Sequence, residues 1–275
     1  MKKLKNNVIL RLQKFSNKMR KIILEVSFNC GEASHIGGAL SIVDIMSVLY
    51  GHLLKINLKK PADRFILSKG HGFLGLLSAL YCKKYIKRND MFKFQTNGSE
   101  LIAHPIVNPK FGIESSNGSL GQGLSFGIGI ALAYKKKKKK NSIFVLIGDG
   151  ECYEGSIWEG AITATEKKLD NLIVIIDCNG FQNDGAINDK MNYLELKNKW
   201  KGFGWNTIVC DGHNTRELLI KLKKKSINKP TAIIAKTIKG KGVKFMEKNN
   251  DWHHGRLTKK LFLEALDNLK LNEKH

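Results

Sequence analysis

Two glycine-bounded turns carry the residues best suited to bind a metal ion and a phosphate group. Asp149 lies between Gly148 and Gly150 directly after an apolar segment, and Asn179 follows the next apolar segment of the same kind. Carboxylate and carboxamide oxygens suit Mg²⁺, with Ca²⁺ or Mn²⁺ as alternatives, and Mg²⁺ is usually held by few protein groups together with phosphate oxygens. Glycines let backbone N–H groups approach a phosphate closely. Each turn alone is typical of an ordinary bend, but together, in this order, they predict a site for a metal ion and a phosphate-bearing ligand.

Four of the eight histidines lie in glycine-rich or helix-start contexts, namely His35, His71, His104 and His254. Imidazole can donate and accept hydrogen bonds and can change charge near neutral pH, which suits hydroxyl recognition and proton transfer. A single histidine is more often structural, but four in such loops favour a functional cluster. His253 precedes His254 directly, and the sequence leaves open which of the two is the functional histidine.

These residues need a scaffold that brings distant loops together. Apolar residues recur at helical spacing in 8–30 and 41–54, and short apolar runs at 142–147 and 172–176 are typical of buried strands. Further helices are predicted at 73–85, 125–134, 158–167 and 215–224, and further strands at 65–68, 207–209 and 231–235. Apolar strands that alternate with helices predict an α/β fold, a doubly wound and mainly parallel sheet. Ligands of such sheets bind beyond the carboxyl ends of the strands.

Length and composition are those of a globular α/β chain. Its 275 residues can bury a substantial core, and no fixed-period repeat or Pro- or Ser-rich linker divides them, so 1–275 is predicted to be a single domain. No apolar run is long enough to span a membrane, and no secretory signal is expected. The five cysteines are scattered and form no C-x-x-C pair. This pattern argues against a disulfide framework or zinc site and favours a reducing, cytoplasmic setting.

The formal net charge of +23 has two interpretations. Such a field attracts polyanions, including nucleic acid and acidic membranes. The excess is mostly lysine spread along the chain, however, and aromatic residues are not interleaved with basic runs such as 135–140, as stacking platforms require. A solvated lysine-rich surface is therefore favoured, and neither a nucleic-acid nor a membrane partner is expected.

Motifs for two other ligand classes are incomplete. The glycines at 121 and 123 are followed by Phe126 where a dinucleotide-binding fingerprint has glycine, and no strand leads directly into them. The run from Lys239 to Gly242 lacks the Ser or Thr and the upstream spacing of a P-loop. The sequence therefore favours neither a dinucleotide nor a nucleoside triphosphate.

Several segments resemble the transketolase family, and they occur in the family's order. The run 63–72 is very similar to the family's Asp-Arg-Phe-x-Leu-Ser-x-Gly-His-Gly, and 118–123 resembles its Gly-x-Leu-Gln/Gly-x-Gly turn. The Gly-Asp-Gly and Asn-Gly turns look like the thiamine-diphosphate motif, although Cys178 stands where the family often has a first asparagine. Lys-Gly-Lys-Gly at 239–242 and Trp-His-His-Gly at 252–255 complete a resemblance that covers roughly residues 15 to 260.

The resemblance implies a role for each candidate residue. Asp149, Asn179 and the carbonyl oxygen of Phe181 would bind Mg²⁺ together with the diphosphate. His35 and His104 would contact the donor sugar, and with His254 they would form the catalytic set. The residues that would contact thiamine diphosphate are His71, Gly121, Gly148, Asp149, Gly150, Glu154, Asn179 and His254. Glu154 has two interpretations. It matches glutamates near the family's subunit interface, or it is a solvated residue in the first turn of a helix, where the helix dipole favours a negative charge.

The resemblance also implies an activity, the transfer of a two-carbon ketol unit from a ketose phosphate to an aldose phosphate, as in pentose phosphate metabolism. Family members form the active site between two domains, and this sequence contains no counterpart of the pyrimidine-binding domain. A C-terminal partner subunit is therefore expected, in an assembly of two copies of each chain.

Two other functions stay open. One is a half-subunit of another thiamine-diphosphate enzyme, of the deoxyxylulose-phosphate synthase or 2-oxoacid dehydrogenase type. The other is a non-catalytic basic binding protein on the same fold. The joint presence of His35, His71 and His104 favours the transketolase type.

Overall fold

Five parallel strands form the central sheet in the computed structural model, which describes residues 6–56 and 62–273. The strands of the chain are β1 (Arg64–Leu67), β2 (Ile143–Gly148), β3 (Leu172–Cys178), β4 (Phe181–Gln182), β5 (Gly185–Ala186), β6 (Asn206–Asp211) and β7 (Thr231–Lys236). The main sheet has the order β1-β2-β3-β7-β6, and β4 and β5 form a small antiparallel hairpin. Gly148 at the end of β2 lies opposite Asp177 in β3, so the loops after both strands leave the sheet at the same edge.

Helices cover both faces of this sheet. They are α1 (Asn6–Cys30), α2 (Ile36–Ser41), α3 (Val43–Val48), α4 (Phe73–Cys82), α5 (Arg88–Met91), α6 (Gln122–Lys136), α7 (Gly155–Glu166), α8 (Tyr193–Gly202), α9 (Thr215–Lys221) and α10 (Lys259–Glu273). A π-helical turn at Leu49–Leu53 extends α3, and 3₁₀ turns occupy Gly70–Gly72, Gly150–Tyr153, Asp189–Met191 and Asn250–His253.

Alternate residues of the central strands point to opposite faces, and each face has its own apolar core. Ile173 and Ile175 belong to the core shared with α1 to α4 and α9, whereas Val174 and Ile176 belong to the core shared with α6, α7 and α8. Complete burial of such an aliphatic side chain contributes about 1.5–3 kcal/mol. Burial on both faces explains why these strands are continuous apolar runs, and it confirms the predicted doubly wound α/β fold.

Several predicted helices differ from the observed ones by up to three residues at an end, and one is wrong in its bounds and its continuity. The expected helix over 41–54 begins at Ile36 and is divided at Ile42, whose ψ of −1° separates α2 from α3. The glycines at 37 and 38 indicated a loop, but they lie within α2, where neighbouring groups leave little room for a side chain. A Cβ atom on Gly37 would lie 2.7 Å from the carbonyl oxygen of Trp252. Helices α5, α8 and α10 and strands β4 and β5 were not predicted.

The predicted single domain of residues 1–275 includes 1–5, 57–61 and 274–275, which lie outside the described residues. Its bounds stay a prediction. Within 6–56 and 62–273, none of the helices combines the length and apolar character that a membrane crossing requires.

Candidate active site at the carboxyl edge of the sheet

The loops after three neighbouring strands line one cavity. Lys69 follows β1, Asp149 follows β2, and Asn179 follows β3. The edge position follows from the parallel register, since carboxyl ends of parallel strands point the same way. Three residues of the predicted metal and diphosphate site share the cavity wall with Asp149 and Asn179: Gly148, Gly150 and Phe181.

Asp149 is a buried carboxylate at the floor of this cavity, with 1 % of its surface exposed. Its Oδ1 accepts a hydrogen bond from Gly150 N at 3.0 Å, and its Oδ2 accepts one from Gly180 N at 2.7 Å. Burial, and then the nearby charge of Asp177, raise the pKa of Asp149 to about 7. Among the described residues, no Lys, Arg or His nitrogen forms an ion pair with it. A cation in the cavity would therefore stabilise its ionised form.

Asp177, at the end of β3, is the second buried carboxylate of this edge, and its charge is balanced within the protein. Lys69 Nζ lies 2.5 Å from Asp177 Oδ2, and both side chains are almost fully buried. Burial opposes ionisation of Asp177, but Lys69 and further hydrogen-bond donors hold its pKa below the usual value. The sequence alone indicates no role for Lys69 or Asp177. A lysine and an aspartate at two strand ends do not by themselves predict that they meet.

Asn179 sits in the turn after β3, where Gly180 adopts a φ of +81°. Its Nδ2 donates to Asp177 Oδ2 at 2.9 Å, and its Oδ1 accepts from Phe181 N at 3.0 Å. Cys178, the position where the resemblance leads to expect asparagine, is partly buried, and burial raises the pKa of its thiol. The raised pKa disfavours the thiolate, so this cysteine is not an activated nucleophile.

Glu151 joins three of the motif loops, although no sequence motif marks it. This buried carboxylate accepts hydrogen bonds from Ser68 Oγ at 2.6 Å, Gly121 N at 2.9 Å and Gly148 N at 2.9 Å. Burial raises the pKa of Glu151 despite these donors. The amide N–H groups of Gly121 and Gly148 thus donate to Glu151 and are not free to donate to a ligand. These glycines can contribute to a ligand site only by letting the ligand approach the backbone closely.

The predicted histidines meet around His35. Its ring centroid lies 5.2 Å from that of His104, 6.0 Å from that of His71 and 4.7 Å from that of His254. Within the described part of the chain, no hydrogen-bond partner lies in reach of the buried Nδ1 atom of His35. Burial, followed by the neighbouring histidines, lowers the pKa of His35 to about 3. The cluster is therefore neutral at His35, and it presents an unsatisfied imidazole nitrogen, a group that a hydroxyl-bearing ligand can satisfy.

The structure distinguishes the two adjacent histidines. His253 lines the cavity, and its ring lies 5.3 Å from that of His71, whereas His254 is exposed and packs on His35. Lys239 Nζ lies 2.8 Å from His253 Nδ1, and burial lowers the pKa of Lys239 to about 8 and that of His253 to about 4. His253 is thus the one nearer the predicted diphosphate site, and the role of His254 stays a prediction.

Gly121 and Glu154 lie close to each other, but neither is among the described residues that line the cavity. Gly121 has a φ of +81°, and a Cβ atom there would lie too close to Ser156 Oγ and 2.9 Å from Glu154 Cβ. The turn therefore requires glycine. Glu154 is exposed just before α7, a position open to a ligand or to another protein chain.

The spacing Gly-x-Ser-x-Gly occurs at 123–127 but has the wrong structural context for a hydrolase nucleophile. That motif places serine on a strained turn between a strand and a helix. Here the five residues lie inside α6. A serine hydrolase is therefore not indicated.

Comparison with known proteins agrees with the resemblance. The parallel sheet and the polar residues at its carboxyl edge define a ligand-binding domain of the doubly wound α/β type. Residues 13–270 match the family model described as transketolase, thiamine diphosphate binding domain, and the chain belongs to that family.

Relatives of similar length carry subunit names. The chain is 39% identical over 266 residues to the 6-deoxy-6-sulfo-D-fructose transketolase subunit SqwG of Clostridium sp. (strain MSTE9), covering 94% of this chain and 96% of that protein. It is 37% identical over 257 residues to an apulose-4-phosphate transketolase subunit of Phocaeicola vulgatus, covering 91% of each.

Solved transketolases are longer. Transketolase from Campylobacter jejuni superposes with a TM-score of 0.86 at 29% identity, covering 94% of this chain but 42% of that one. The chain thus spans about two fifths of the solved structure and nearly all of the subunit-type relatives.

Proposed function

We propose that this chain is the diphosphate-binding subunit of a two-chain, thiamine-diphosphate-dependent transketolase. It would transfer a two-carbon ketol unit from a ketose to an aldose together with a subunit that carries the pyrimidine-binding domain. One observation carries the proposal. Asp149, a buried carboxylate that pairs with no cation among the described residues, lies at the same sheet edge as the histidine cluster around His35.

The donors at Asp149 fit Mg²⁺ bound through a diphosphate. One carboxylate, the amide oxygen of Asn179 and the carbonyl oxygen of Phe181 are hard oxygen ligands, and Mg²⁺ takes its remaining ligands from phosphate and water. The described residues contain no group of three or more His, Cys, Asp or Glu side chains arranged to hold a metal ion. A site with one charged ligand therefore depends on the diphosphate to complete it. Ca²⁺ or Mn²⁺ would suit the same donors.

The surrounding chain accommodates the diphosphate by shape and by charge. Gly121, Gly148 and Gly150 keep side chains away from the cofactor, and the latter two line the cavity. His71 and His253 line it as well, and Lys239 adds positive charge beside His253. Positive groups and backbone dipoles at one edge are the usual means of holding a diphosphate.

The histidines around His35 are proposed to bind the sugar. Thiamine diphosphate, when bound, supplies the electron sink for cleavage of the ketose carbon–carbon bond. His35 and His104 would hydrogen-bond sugar hydroxyls, and His254 at the exposed end of the cluster would orient the donor. Lowered pKa values of His35 and His104 favour neutral rings. Each neutral ring can both donate and accept, so it can hold a hydroxyl and move its proton.

The proposal of a partner subunit is supported by the names of the relatives. The relatives that this chain matches over nearly their whole length are named subunits of transketolases. Their names specify 6-deoxy-6-sulfo-D-fructose and apulose-4-phosphate, which makes ketoses with a terminal anionic group the first donors to test. Sugar phosphates, an assembly of two copies of each chain and a cytoplasmic setting belong to the same proposal.

The decisive experiment is reconstitution. Ketol transfer from a panel of ketose phosphates is measured with this chain, with a candidate pyrimidine-domain subunit, and with both mixed, in Mg²⁺ and thiamine diphosphate. Activity should appear only in the mixture and should saturate at equal amounts of the two chains. Activity of this chain alone would contradict the split-enzyme proposal. Cofactor binding without ketol transfer by any pair would instead favour another thiamine-diphosphate reaction.

A further inference from the structure

The carboxylate of Asp177 accepts hydrogen bonds from four side chains, one of which is Asn179. Its Oδ2 accepts hydrogen bonds from Lys69 Nζ at 2.5 Å, Ser41 Oγ at 2.6 Å and Asn179 Nδ2 at 2.9 Å. Its Oδ1 accepts from Thr237 Oγ1 at 2.5 Å. Asp177 has no exposed surface. Four donors from four separate segments thus converge on one buried carboxylate.

This arrangement excludes Asp177 as a metal ligand and gives it another role. Three donors converge on Oδ2, more than the two lone pairs of a carboxylate oxygen, and the fourth donor bonds Oδ1. Asp177 is fully buried and, among the described residues, is not one of those that line the cavity. Lys69 also balances its charge, and Gly38 O accepts a further hydrogen bond from Lys69 Nζ at 3.2 Å. Asp149, one strand away, has neither an ion-pair partner nor a comparable set of donors among the described residues. Of the two carboxylates at this edge, Asp149 is therefore the one suited to bind a cation, and Asp177 has a structural role.

The contact between Asp177 and Asn179 fixes which end of the amide faces the cavity. An amide has an NH₂ group that donates and an oxygen that accepts, and an ionised carboxylate only accepts. Asp177 therefore holds the NH₂ group of Asn179 on its own side. Asn179 Oδ1 is turned away and accepts from Phe181 N at 3.0 Å. An amide oxygen has two lone pairs, so one remains for a cation.

We infer that Asp177 is a positioning residue, which sets the amide of Asn179 so that its oxygen faces the metal, while Lys69 balances the charge of Asp177. The inference rests on the proposed function, because that function supplies the metal ion. Groups behind a metal ligand orient it, and their loss commonly weakens metal affinity by about 10- to 100-fold. Neither Lys69 nor Asp177 belongs to the ligand set predicted from the sequence.

The test is a double-mutant cycle read out by binding. Isothermal titration measures the affinity of the full chain for Mn²⁺ in the presence of thiamine diphosphate. Asp177→Asn should weaken Mn²⁺ binding by about 10- to 100-fold, since asparagine can present either an oxygen or an NH₂ group to Asn179. In an Asn179→Ala background the same change should cost less than about twofold, because residues that act through one another are not additive.

Two further variants distinguish loss of the Asn179 amide orientation from the effects of an unpaired buried charge and of reduced stability of the chain. Lys69→Met/Asp177→Asn removes both buried charges, so it leaves no unpaired lysine to unfold the chain. It should still bind Mn²⁺ about 10- to 100-fold more weakly, because the amide is no longer held. Glu114→Gln alters a partly buried acid, paired with Arg64 at the opposite end of β1, and should leave Mn²⁺ affinity unchanged.

The outcomes distinguish the inference from the function on which it rests. Mn²⁺ affinity of the double charge variant within about twofold of the unaltered chain would overturn the positioning role. So would a loss from Asp177→Asn that adds in full to that of Asn179→Ala. No binding of Mn²⁺ and thiamine diphosphate by the unaltered chain, either alone or mixed with a pyrimidine-domain subunit, would contradict the proposed function, and the inference with it.

Discussion

The imidazole of His213 accepts a hydrogen bond at Nε2 from the backbone N–H of Ile238, at 2.9 Å. Its other ring nitrogen, Nδ1, lies 2.8 Å from Asp44 Oδ2, and Asp44 is in turn paired with Arg20 at 2.5 Å. Because Nε2 accepts a hydrogen bond, the ring proton is on Nδ1, which donates a hydrogen bond to Asp44. The sequence around His213 indicates only a turn, whereas in the structure both of its ring nitrogens are hydrogen-bonded.

This contact anchors the loop that carries Lys239. Ile238 immediately precedes Lys239, and Arg20 Nε donates to Lys241 O at 3.2 Å, so the loop is held on both sides of that lysine. The anchors come from α1, α3 and the turn after β6. Lys239 is thereby brought beside His253 at the cavity.

Replacing His213 should loosen this loop. His213→Ala leaves Ile238 N–H without its acceptor and removes one donor from Asp44, and a buried group left unsatisfied costs about 1–3 kcal/mol. Urea unfolding should show a loss in that range, whereas His52→Ala, at an exposed histidine, should stay within about 0.5 kcal/mol of the unaltered chain. Equal, small effects of both changes would show that His213 does not anchor the loop.

Removing the carboxylate of Asp149 should abolish metal-dependent cofactor binding. Asp149→Ala deletes the charged ligand of the proposed site, and calorimetry with Mg²⁺ and thiamine diphosphate should show a loss of at least about 100-fold, larger than that of neutral Asn179→Ala. Circular dichroism serves as the folding control. Unchanged affinity in a folded Asp149→Ala protein would refute the site assignment.

His104 should affect turnover rather than cofactor affinity. It lies 5.2 Å from His35 by ring centroids and is not among the residues that line the diphosphate cavity in the described chain. His104→Ala in the reconstituted enzyme should therefore lower kcat/KM by about 10²- to 10⁴-fold, the usual range for a group that moves a proton. Thiamine-diphosphate affinity should stay near that of the unaltered enzyme. A loss of cofactor affinity equal to that of Asp149→Ala would show that the role is wrongly assigned.

A side chain at Gly121 should destabilise the turn that leads into α6. Gly121→Ala places a Cβ atom at a φ of +81°, in direct conflict with Ser156 Oγ. The backbone strain alone costs about 1–2 kcal/mol, and the contact adds to it. Gly118→Ala is the matched control in the same loop, because no atom of the described residues lies within 4 Å of its Cβ position. Similar unfolding midpoints for both variants would contradict this account.

The fold was predictable because its strands are buried on both faces. The segments at 142–147 and 172–176 are continuous apolar runs, and they form β2 and β3 nearly within those bounds. Helix α8 was missed because its apolar residues Leu196 and Trp200 are few among lysines. Strand order depends on contacts between distant segments, and periodicity does not report such contacts.

The sequence could indicate those candidate site residues whose side-chain type and glycine-rich surroundings are typical of ligand binding. Asp149, Asn179 and the histidines stand in glycine-rich turns, and the structure brings them to one edge. Lys69 and Asp177 could not be predicted in this way, because their role depends on an ion pair between the loop after β1 and the end of β3. No local sequence pattern indicates that contact. Glu151 is similar, because its three donors come from three loops.

The histidine cluster should make the isolated chain less stable in mild acid. His35 has a pKa of about 3 in the folded chain, whereas an exposed histidine titrates near 6.5. The groups that face it are His71, His104, His253, His254 and Lys239. Between the two pKa values the unfolded chain binds a proton that the folded chain does not, so stability is fully present above about pH 6.5 and falls as the pH decreases.

His35→Gln should reduce this acid sensitivity. Urea unfolding of the unaltered chain should give a lower free energy at pH 5.5 than at pH 7.5. His35 alone contributes on the order of 1 kcal/mol to the difference, once solvent screening of a partly exposed ring is allowed for. The variant keeps a hydrogen-bonding side chain but cannot titrate, so its decrease between the two pH values should be smaller by about that amount. A decrease of the same size in both proteins would show that His35 is not held neutral by its surroundings, and a larger decrease in the variant would reverse the sign of the argument.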